Sequence, residues 1–110
     1  MMEACLVTTT TNDAAEAGRL SEELVRQGLA ACVQRITVES QYVWEGRIEQ
    51  QPEFLLCIKT SRERHDEVEA YLRRAHSYAV PEILCFSAAG GSADYLAWIR
   101  DNSQGRRVEG

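Results

Sequence analysis

The segment from His76 to Phe86 concentrates side chains that could do chemistry. It reads HSYAVPEILCF, so a histidine, a tyrosine, a proline and a glutamate occur within seven residues, directly before an apolar run. An imidazole can bind a transition metal or titrate near neutral pH, and a carboxylate can supply a further ligand. His76 and Glu82 are therefore the candidate metal ligands of the chain. The alternative for His76 is a place at a helix end, where its charge would be favoured by the last carbonyl groups.

Glu82 needs a partner, because a carboxylate at the start of an apolar strand is costly unless it is paired or hydrogen-bonded. Lys59 ends the apolar run FLLCIK and is the predicted partner. This ion pair is compatible with a purely structural role and equally with a role in lining a pocket. Aromatic side chains with a polar group are typical of subunit interfaces. The candidate pocket or interface residues are thus Tyr42, Trp44, Lys59, His76, Tyr78 and Glu82.

Catalytic patterns are missing from the sequence. It contains no G-x-S-x-G, no H-E-x-x-H and no glycine-rich phosphate loop before a helix. The four cysteines lie in apolar runs without a C-x-x-C pair, so they are predicted to be small buried hydrophobic residues. These are Cys5, Cys32, Cys57 and Cys85. We therefore predict that the chain is not an enzyme, and no cofactor follows from these patterns.

Length and charge restrict the organisation of the chain and its partners. A chain of 110 residues predicts one domain, which we place at residues 1–101, followed by a polar tail at 102–110 that is expected to fray. The net charge of −5 argues against binding to nucleic acid. No apolar run is long enough to cross a membrane, and the start MMEACLVTTTT lacks the features of an export signal. We therefore expect a cytoplasmic protein.

The first half of the chain predicts a strand, a helix and a long hairpin. ACLVTTTT has the composition of a buried strand, and Asn12-Asp13 can cap a helix that Gly28 ends. Two strands then meet at a turn signal, Glu45-Gly46. Pro52 predicts a bulge or an edge in the second of these strands, because proline donates no ladder hydrogen bond.

The second half predicts a helix, a strand and a short final helix. Thr60 to Glu63 match the capping box S/T-x-x-E, ILCFS is a strand, and Ser92 can cap the last helix. The order β-α-β-β-α-β plus a C-terminal helix predicts an α+β, ferredoxin-like fold with one antiparallel sheet and both main helices on one face. The other, uncovered face and the long hairpin predict self-association.

Several segments together resemble the CutA family of divalent-cation tolerance proteins. The matching pieces are VTTTTNDAAEA, LAACV, SQYVWEGRIE, IKTSRE, HSYAVPEI and DYLAWI, and the resemblance covers roughly residues 4–101. The resemblance implies a compact homotrimer, similar in architecture to the PII signalling proteins, whose hairpins wrap neighbouring subunits. It also implies a role in tolerance of copper or another divalent cation.

The sequence departs from the family pattern at two kinds of position. The usual HPYEVPEI carries Ser77 and Ala79 here, so one acidic side chain is missing. The copper site proposed for some bacterial members uses cysteines and a histidine, and those positions correspond to Thr8, Tyr71 and Ala75. That copper site therefore does not carry over to this chain.

Three functions are compatible with this resemblance. The first is a trimeric protein of divalent metal tolerance in which groups such as His76 and Glu82 bind metal weakly. The second is a PII-like sensor with a small molecule in an inter-subunit cleft near Trp44, Lys59, His76 and Glu82. The third is a trimeric scaffold for another protein.

Overall fold

The computed structural model describes residues 4–110, and the first three residues of the predicted 1–101 domain lie outside the described residues. The elements occur in the predicted order. They are β1 (Ala4–Thr11), α1 (Ala14–Arg26), β2 (Cys32–Trp44), β3 (Arg47–Ser61), a 3₁₀ turn (Arg62–Arg64), α2 (His65–Ala75), β4 (Leu84–Ser87) and α3 (Ala93–Asp101).

The strands form one four-stranded antiparallel sheet in the order β2-β3-β1-β4. Val7 in β1 pairs with Ile58 in β3 and with Cys85 in β4, and Val33 in β2 also pairs with Ile58. These cross-strand neighbours share one face of the sheet because side chains alternate along a strand. The ferredoxin-like α+β prediction is confirmed.

The core lies between this sheet face and the helices α1 and α2. Leu20 and Leu24 of α1 and Leu72 of α2 are fully buried there, together with Leu56 and Ile58 of β3. Full burial of each such side chain contributes about 2 kcal/mol to stability. Both main helices therefore cover the same side of the sheet, as predicted.

The ends of α1 are set by local sequence. The Asp13 carboxylate accepts hydrogen bonds from the backbone N–H groups of Ala15 and Glu16, which satisfies donors that the helix leaves open. Gly28 then takes the left-handed backbone conformation with φ 71°. A Cβ at Gly28 would lie 2.3 Å from the carbonyl oxygen of Arg106, so only glycine fits here.

The β2–β3 hairpin is regular along its whole length. Glu45 and Gly46 both have positive φ, 50° and 76°, as a two-residue turn that follows the strand twist requires. The register runs without interruption, so the predicted alternative of a bulge at Pro52 is wrong. The edge alternative is confirmed, because Pro52 lies beyond Phe54, the last residue of β3 that pairs with β1.

The predicted capping box at Thr60 is wrong. β3 continues through Ser61, and the Thr60 hydroxyl is buried and donates to the carbonyl of Leu29 at 2.7 Å. The helix α2 begins only at His65, without a side-chain cap hydrogen bond. Burial of Thr60 in the sheet outweighs the local capping tendency of its sequence.

The predicted fraying of the tail is also wrong. Ser103 is fully buried, and its hydroxyl lies 2.9 Å from that of Ser61. The N–H of Gly105 donates to Gly28, and the N–H of Val108 donates to the carbonyl of Arg26. The polar residues after α3 therefore pack along the end of α1.

The second face of the sheet is only partly covered. α3 packs over the end where β1 begins, and the Lys59 amine contacts the Tyr95 hydroxyl there. Ile36, Leu84 and Phe86 on this face remain about half exposed, which agrees with the predicted uncovered apolar face. No helix within residues 4–110 has the length and apolar character to cross a membrane.

Candidate functional site

A cleft of about 540 Å³ lies between the β2–β3 hairpin and the loop from α2 to β4. We call it the hairpin cleft, and its lining includes Thr10, Tyr42, Trp44, Glu53, Tyr78 and Glu82. Four of the six predicted residues thus come together, and Lys59 and His76 do not line it. Glu53 was missed, although it lies on the same alternating face of the hairpin as Tyr42 and Trp44.

The predicted ion pair between Glu82 and Lys59 is wrong. Glu82 instead accepts a hydrogen bond from the Thr8 hydroxyl at 2.7 Å. The Lys59 amine lies 3.3 Å from the Tyr95 hydroxyl and 5.4 Å from the centre of its ring. Glu82 bonds to Thr8 of β1, whereas Lys59 pairs with Leu6, two residues earlier on the same strand.

Glu53 and Tyr78 form a fixed pair in the wall of the cleft. The Tyr78 hydroxyl donates to Oε2 of Glu53 at 2.7 Å, and Glu53 is only 5% exposed. Burial raises the pKa of Tyr78, and the neighbouring Glu53 raises it further, since both disfavour the phenolate. The phenol therefore stays protonated and keeps the carboxylate as its acceptor.

His76 has no nitrogen free for a metal. Nδ1 accepts the backbone N–H of Tyr78 at 3.0 Å, and Nε2 lies 2.8 Å from the carbonyl oxygen of Thr10, to which it donates. The side chain is 0% exposed. His76 lies at the C-terminal cap of α2, as the helix-end alternative proposed, yet its imidazole bonds to β1 rather than to the last carbonyls of the helix. It therefore positions the loop that carries Tyr78.

Glu16 is a second buried acid that the sequence did not reveal. It accepts hydrogen bonds from the Thr11 hydroxyl and from both the N–H and the hydroxyl of Ser77. Burial alone would raise the pKa of Glu16, but the hydrogen bonds from Ser77 and Thr11 hold it below its usual value. The proline of the family pattern at position 77 would have no N–H to donate.

Metal-ligating side chains do not converge within residues 4–110, where no group of three or more His, Cys, Asp or Glu could hold an ion. The three positions of the family's proposed copper site carry other side chains with other roles here. Thr8 donates a hydrogen bond to Glu82, while Tyr71 and Ala75 pack in or against the core. Lys59 lines a separate cavity of about 370 Å³ under α3.

All four cysteines are free thiols. The predicted burial is confirmed for Cys5 alone, whose pKa rises to about 12 mainly because of that burial. The other three, Cys32, Cys57 and Cys85, are partly exposed.

These features define a class: a small ferredoxin-like α+β protein with a long hairpin, a half-covered sheet face and an acidic, aromatic cleft beneath the hairpin. The family model described as "CutA1 divalent ion tolerance protein" matches residues 5–102, and the chain belongs to this family.

Individual relatives agree with this assignment. The divalent-cation tolerance protein CutA of Pectobacterium atrosepticum is 36% identical over 100 residues, which is 90% of this chain and 91% of that protein. The solved structure of the periplasmic divalent cation tolerance protein CutA from Archaeoglobus fulgidus superimposes with a TM-score of 0.89 at 32% identity, covering 92% of this chain and 99% of that one.

The prediction of a cytoplasmic location is contradicted by the names of relatives. The Archaeoglobus fulgidus protein is called periplasmic. Protein CutA of Arabidopsis thaliana is called chloroplastic; it is 36% identical over 91 residues, which is 81% of this chain and 50% of that protein. The prediction is corrected accordingly, because the family is not confined to the cytoplasm.

Proposed function

We propose that this chain acts in tolerance of divalent metal ions as a homotrimer and without catalysing a reaction. The metal-tolerance part follows the names that its relatives carry. The observation that carries the assembly is the half-covered sheet face, where large apolar side chains remain exposed. In monomeric proteins contiguous apolar surface of this kind is rare and marks a site of association.

The shape of the subunit supports this assembly. The chain measures 44 × 31 × 22 Å, since the β2–β3 hairpin extends well past the end of β1. Val43 and Ile48 near the hairpin tip are more than 70% exposed. Contact with neighbouring copies would remove both the sheet face and the hairpin from water, in a PII-like arrangement.

The metal contact that we propose is weak and made by carboxylates. Glu53 and Glu82 are the acidic groups of the hairpin cleft, and their oxygens suit hard divalent cations. His76 is excluded from this proposal because both of its nitrogens are engaged. Two carboxylates from one chain supply too few ligands for tight binding, so copper or another divalent cation would be held loosely.

Sedimentation velocity over a range of concentrations tests the assembly. We expect the wild type to sediment as a trimer and Phe86→Glu to dissociate, because the change places a charge on the proposed interface. Val108→Glu is the matched control: Val108 is similarly exposed but lies against α1, on the helix side of the sheet. A monomeric wild type, or a Phe86→Glu variant that stays trimeric, would refute the proposed interface.

A growth assay tests the role in metal tolerance. A strain lacking its own CutA protein should regain growth in raised copper when it expresses the wild-type chain, and Phe86→Glu should restore less. Equal growth with and without the chain would contradict the metal-tolerance proposal.

A second candidate is the small-molecule sensor, and the hairpin cleft is the observation that favours it. Its volume lies in the range of ligand sites, and its polar groups are held in place by hydrogen bonds. In this alternative the trimer is the same and the cleft holds an organic ligand.

A further inference from the structure

We infer that His76 and Glu16 form a buried, proton-operated latch on the loop between α2 and β4. At neutral pH the imidazole holds the backbone of Tyr78, and in mild acid a proton on Nδ1 breaks that bond and turns the imidazole towards Glu16. The side chains of His76 and Glu16 are 0% and 2% exposed. Because the latch is buried within one chain, it goes beyond the proposed function and depends neither on the assembly nor on a ligand.

The hydrogen bonds of the imidazole require the neutral ring with its proton on Nε2. Nε2 donates to the carbonyl oxygen of Thr10 at 2.8 Å, and Nδ1 accepts the backbone N–H of Tyr78 at 3.0 Å. A protonated imidazole carries a hydrogen on both nitrogens and accepts no hydrogen bond. Protonation therefore keeps the bond to Thr10 and removes the bond to Tyr78.

Glu16 offers Nδ1 of His76 a second partner. Oε2 of Glu16 lies 3.7 Å from Nδ1. Within the described residues this oxygen accepts one hydrogen bond, from the N–H of Ser77 at 2.7 Å, and a carboxylate oxygen can accept two. A shift of about 1 Å would bring the protonated Nδ1 to the length of a charge-assisted hydrogen bond. Nδ1 thus has two partners, one for each charge state of the imidazole.

Glu16 is the charged group that the protonated imidazole would meet. Burial would raise the pKa of Glu16, but the hydrogen bonds from Ser77 and Thr11 hold it below its usual value, so the carboxylate stays ionised in mild acid. Histidine is the side chain that ordinarily changes its charge between about pH 5 and about pH 8. The other charged or titratable groups around the imidazole are Arg19, which lies 3.7 Å from Glu16, Tyr78, whose ring centre lies 4.8 Å from that of the imidazole, and Glu53 behind Tyr78.

Loss of the bond to Nδ1 loosens the loop where it leaves α2. Two consecutive N–H groups fasten the loop there: that of Ser77 to Glu16 and that of Tyr78 to His76. Protonation of His76 releases the second of these, while the Tyr78 hydroxyl keeps its bond to Glu53. Residues 78–80 of the loop line the hairpin cleft. The latch therefore makes one wall of the cleft respond to pH.

Hydrogen exchange of the Tyr78 amide, followed by NMR from about pH 8 to about pH 5, tests the latch. After correction for the intrinsic exchange rate, we expect the protection of this amide to fall about tenfold towards acid pH, the loss expected for one hydrogen bond. The amide of Ile58, which is fully buried in the sheet between β1 and β2, should keep its protection. The ring nitrogen shifts of His76 should report proton uptake at Nδ1 with the same midpoint.

Two histidine variants assign the effect to His76. His76→Asn introduces an amide that does not titrate and whose oxygen can accept the N–H two residues further on, so the protection of Tyr78 should no longer change with pH. His65→Gln is the matched control, because His65 is the only other histidine of the chain and lies at the start of α2. This variant should keep the pH dependence of the wild type. If His76→Asn does not fold, the two midpoints measured in the wild type decide the result.

Any of three results overturns the inference. The first is a Tyr78 amide whose protection stays constant across this pH range. The second is an unchanged fall in protection in folded His76→Asn, and the third is a difference between the midpoints of the Tyr78 amide and the His76 ring. A fall that disappears in His65→Gln would likewise contradict the latch, because it would assign the pH dependence to the wrong histidine.

Discussion

Hydrogen-bond partners at the residue scale decide which of the candidate side chains face a ligand. Both ring nitrogens of His76 hydrogen-bond to backbone groups of Thr10 and Tyr78, whereas Glu82 lines the hairpin cleft. The sequence predicted that Glu82 would have a partner, because an unpaired carboxylate directly before an apolar strand is costly. It did not predict Thr8 as the donor, because only the strand register brings the two residues together.

The acids that the sequence missed are single glutamates whose burial depends on distant segments. Glu53 follows Pro52 in a polar-looking stretch, and only alternation along β3 places it on the cleft side. Glu16 looks like an ordinary acid in the first turn of a helix, yet Ser77 reaches it from 61 residues away. Tyr42, Trp44 and Tyr78 could be predicted because aromatic side chains with a polar group are typical of subunit interfaces and pockets.

Replacing Thr9 by valine should stabilise the fold. Thr9 is fully buried and its hydroxyl has no hydrogen-bond partner within the described residues. Valine has the same shape without the unsatisfied hydroxyl, so we expect a gain of about 1 kcal/mol in the free energy of unfolding. Thr60→Val is the matched control and should lose about 1–2 kcal/mol, because Thr60 donates to Leu29. Urea unfolding at one fixed protein concentration measures both, and destabilisation by Thr9→Val would refute the prediction.

Glu16 should make stability depend on acid pH. Its pKa in the folded state lies below the ordinary value of 4.5, so it contributes stability at pH values above 4.5. That contribution is lost as the pH falls through the lower, folded-state pKa. We expect Glu16→Gln to be less stable than the wild type near pH 7 and to lose less stability between neutral and acid pH.

Glu22→Gln is the control for this pH dependence, because Glu22 is exposed and, among the residues that the structure describes, pairs only with Arg26 on the helix surface. Its stability profile from neutral to acid pH should follow that of the wild type. Parallel profiles for the wild type and Glu16→Gln would show that the buried network does not hold the carboxylate in its charged form.

Element boundaries were predictable where local chemistry sets them. Asp13 as a cap, Gly28 as a helix end and Glu45-Gly46 as a turn each act through the adjacent backbone, and each prediction is confirmed. The capping box predicted at Thr60 does not form, because the Thr60 hydroxyl is buried in the sheet and donates to the carbonyl of Leu29 instead. The prediction of a frayed tail was wrong for a related reason, since no local sequence pattern shows that Ser103 will be buried against Ser61.

Three glycine-to-alanine changes separate backbone conformation from packing. Gly18→Ala should stabilise α1 by about 0.5–1 kcal/mol, because the site has open space and glycine weakens a helix. Gly46→Ala should cost about 1–2 kcal/mol through its positive φ alone. Gly28→Ala should cost more than about 2 kcal/mol, because the new methyl group also meets the Arg106 carbonyl.

Urea unfolding ranks the three variants by their free energy of unfolding. For Gly28→Ala, limited proteolysis also measures whether the tail stays packed against α1. The methyl group should displace residues 105–108 from α1 and expose them to cleavage. Equal stability of Gly28→Ala and Gly46→Ala would mean that the contact between the tail and α1 contributes nothing.

The arrangement of the whole molecule explains why the fold was more predictable than the site. Alternation and helical periodicity fixed which side of the sheet the helices cover, and hence which face stays open. The cleft depends on side chains from β1, the hairpin and the loop after α2, whose meeting is set by register and packing. The location of the protein was predicted wrongly, since the names of relatives place family members in the periplasm and the chloroplast.

The proposed trimer links the open sheet face, the projecting hairpin and the cleft beneath it, so it is the central claim. Native mass spectrometry of protein purified without added metal or chelator tests it most directly. We predict a species of three times the 12.4 kDa chain, about 37 kDa, and any excess mass would identify a retained ion or organic ligand. A species at the mass of a single chain across the concentrations tested would contradict the account.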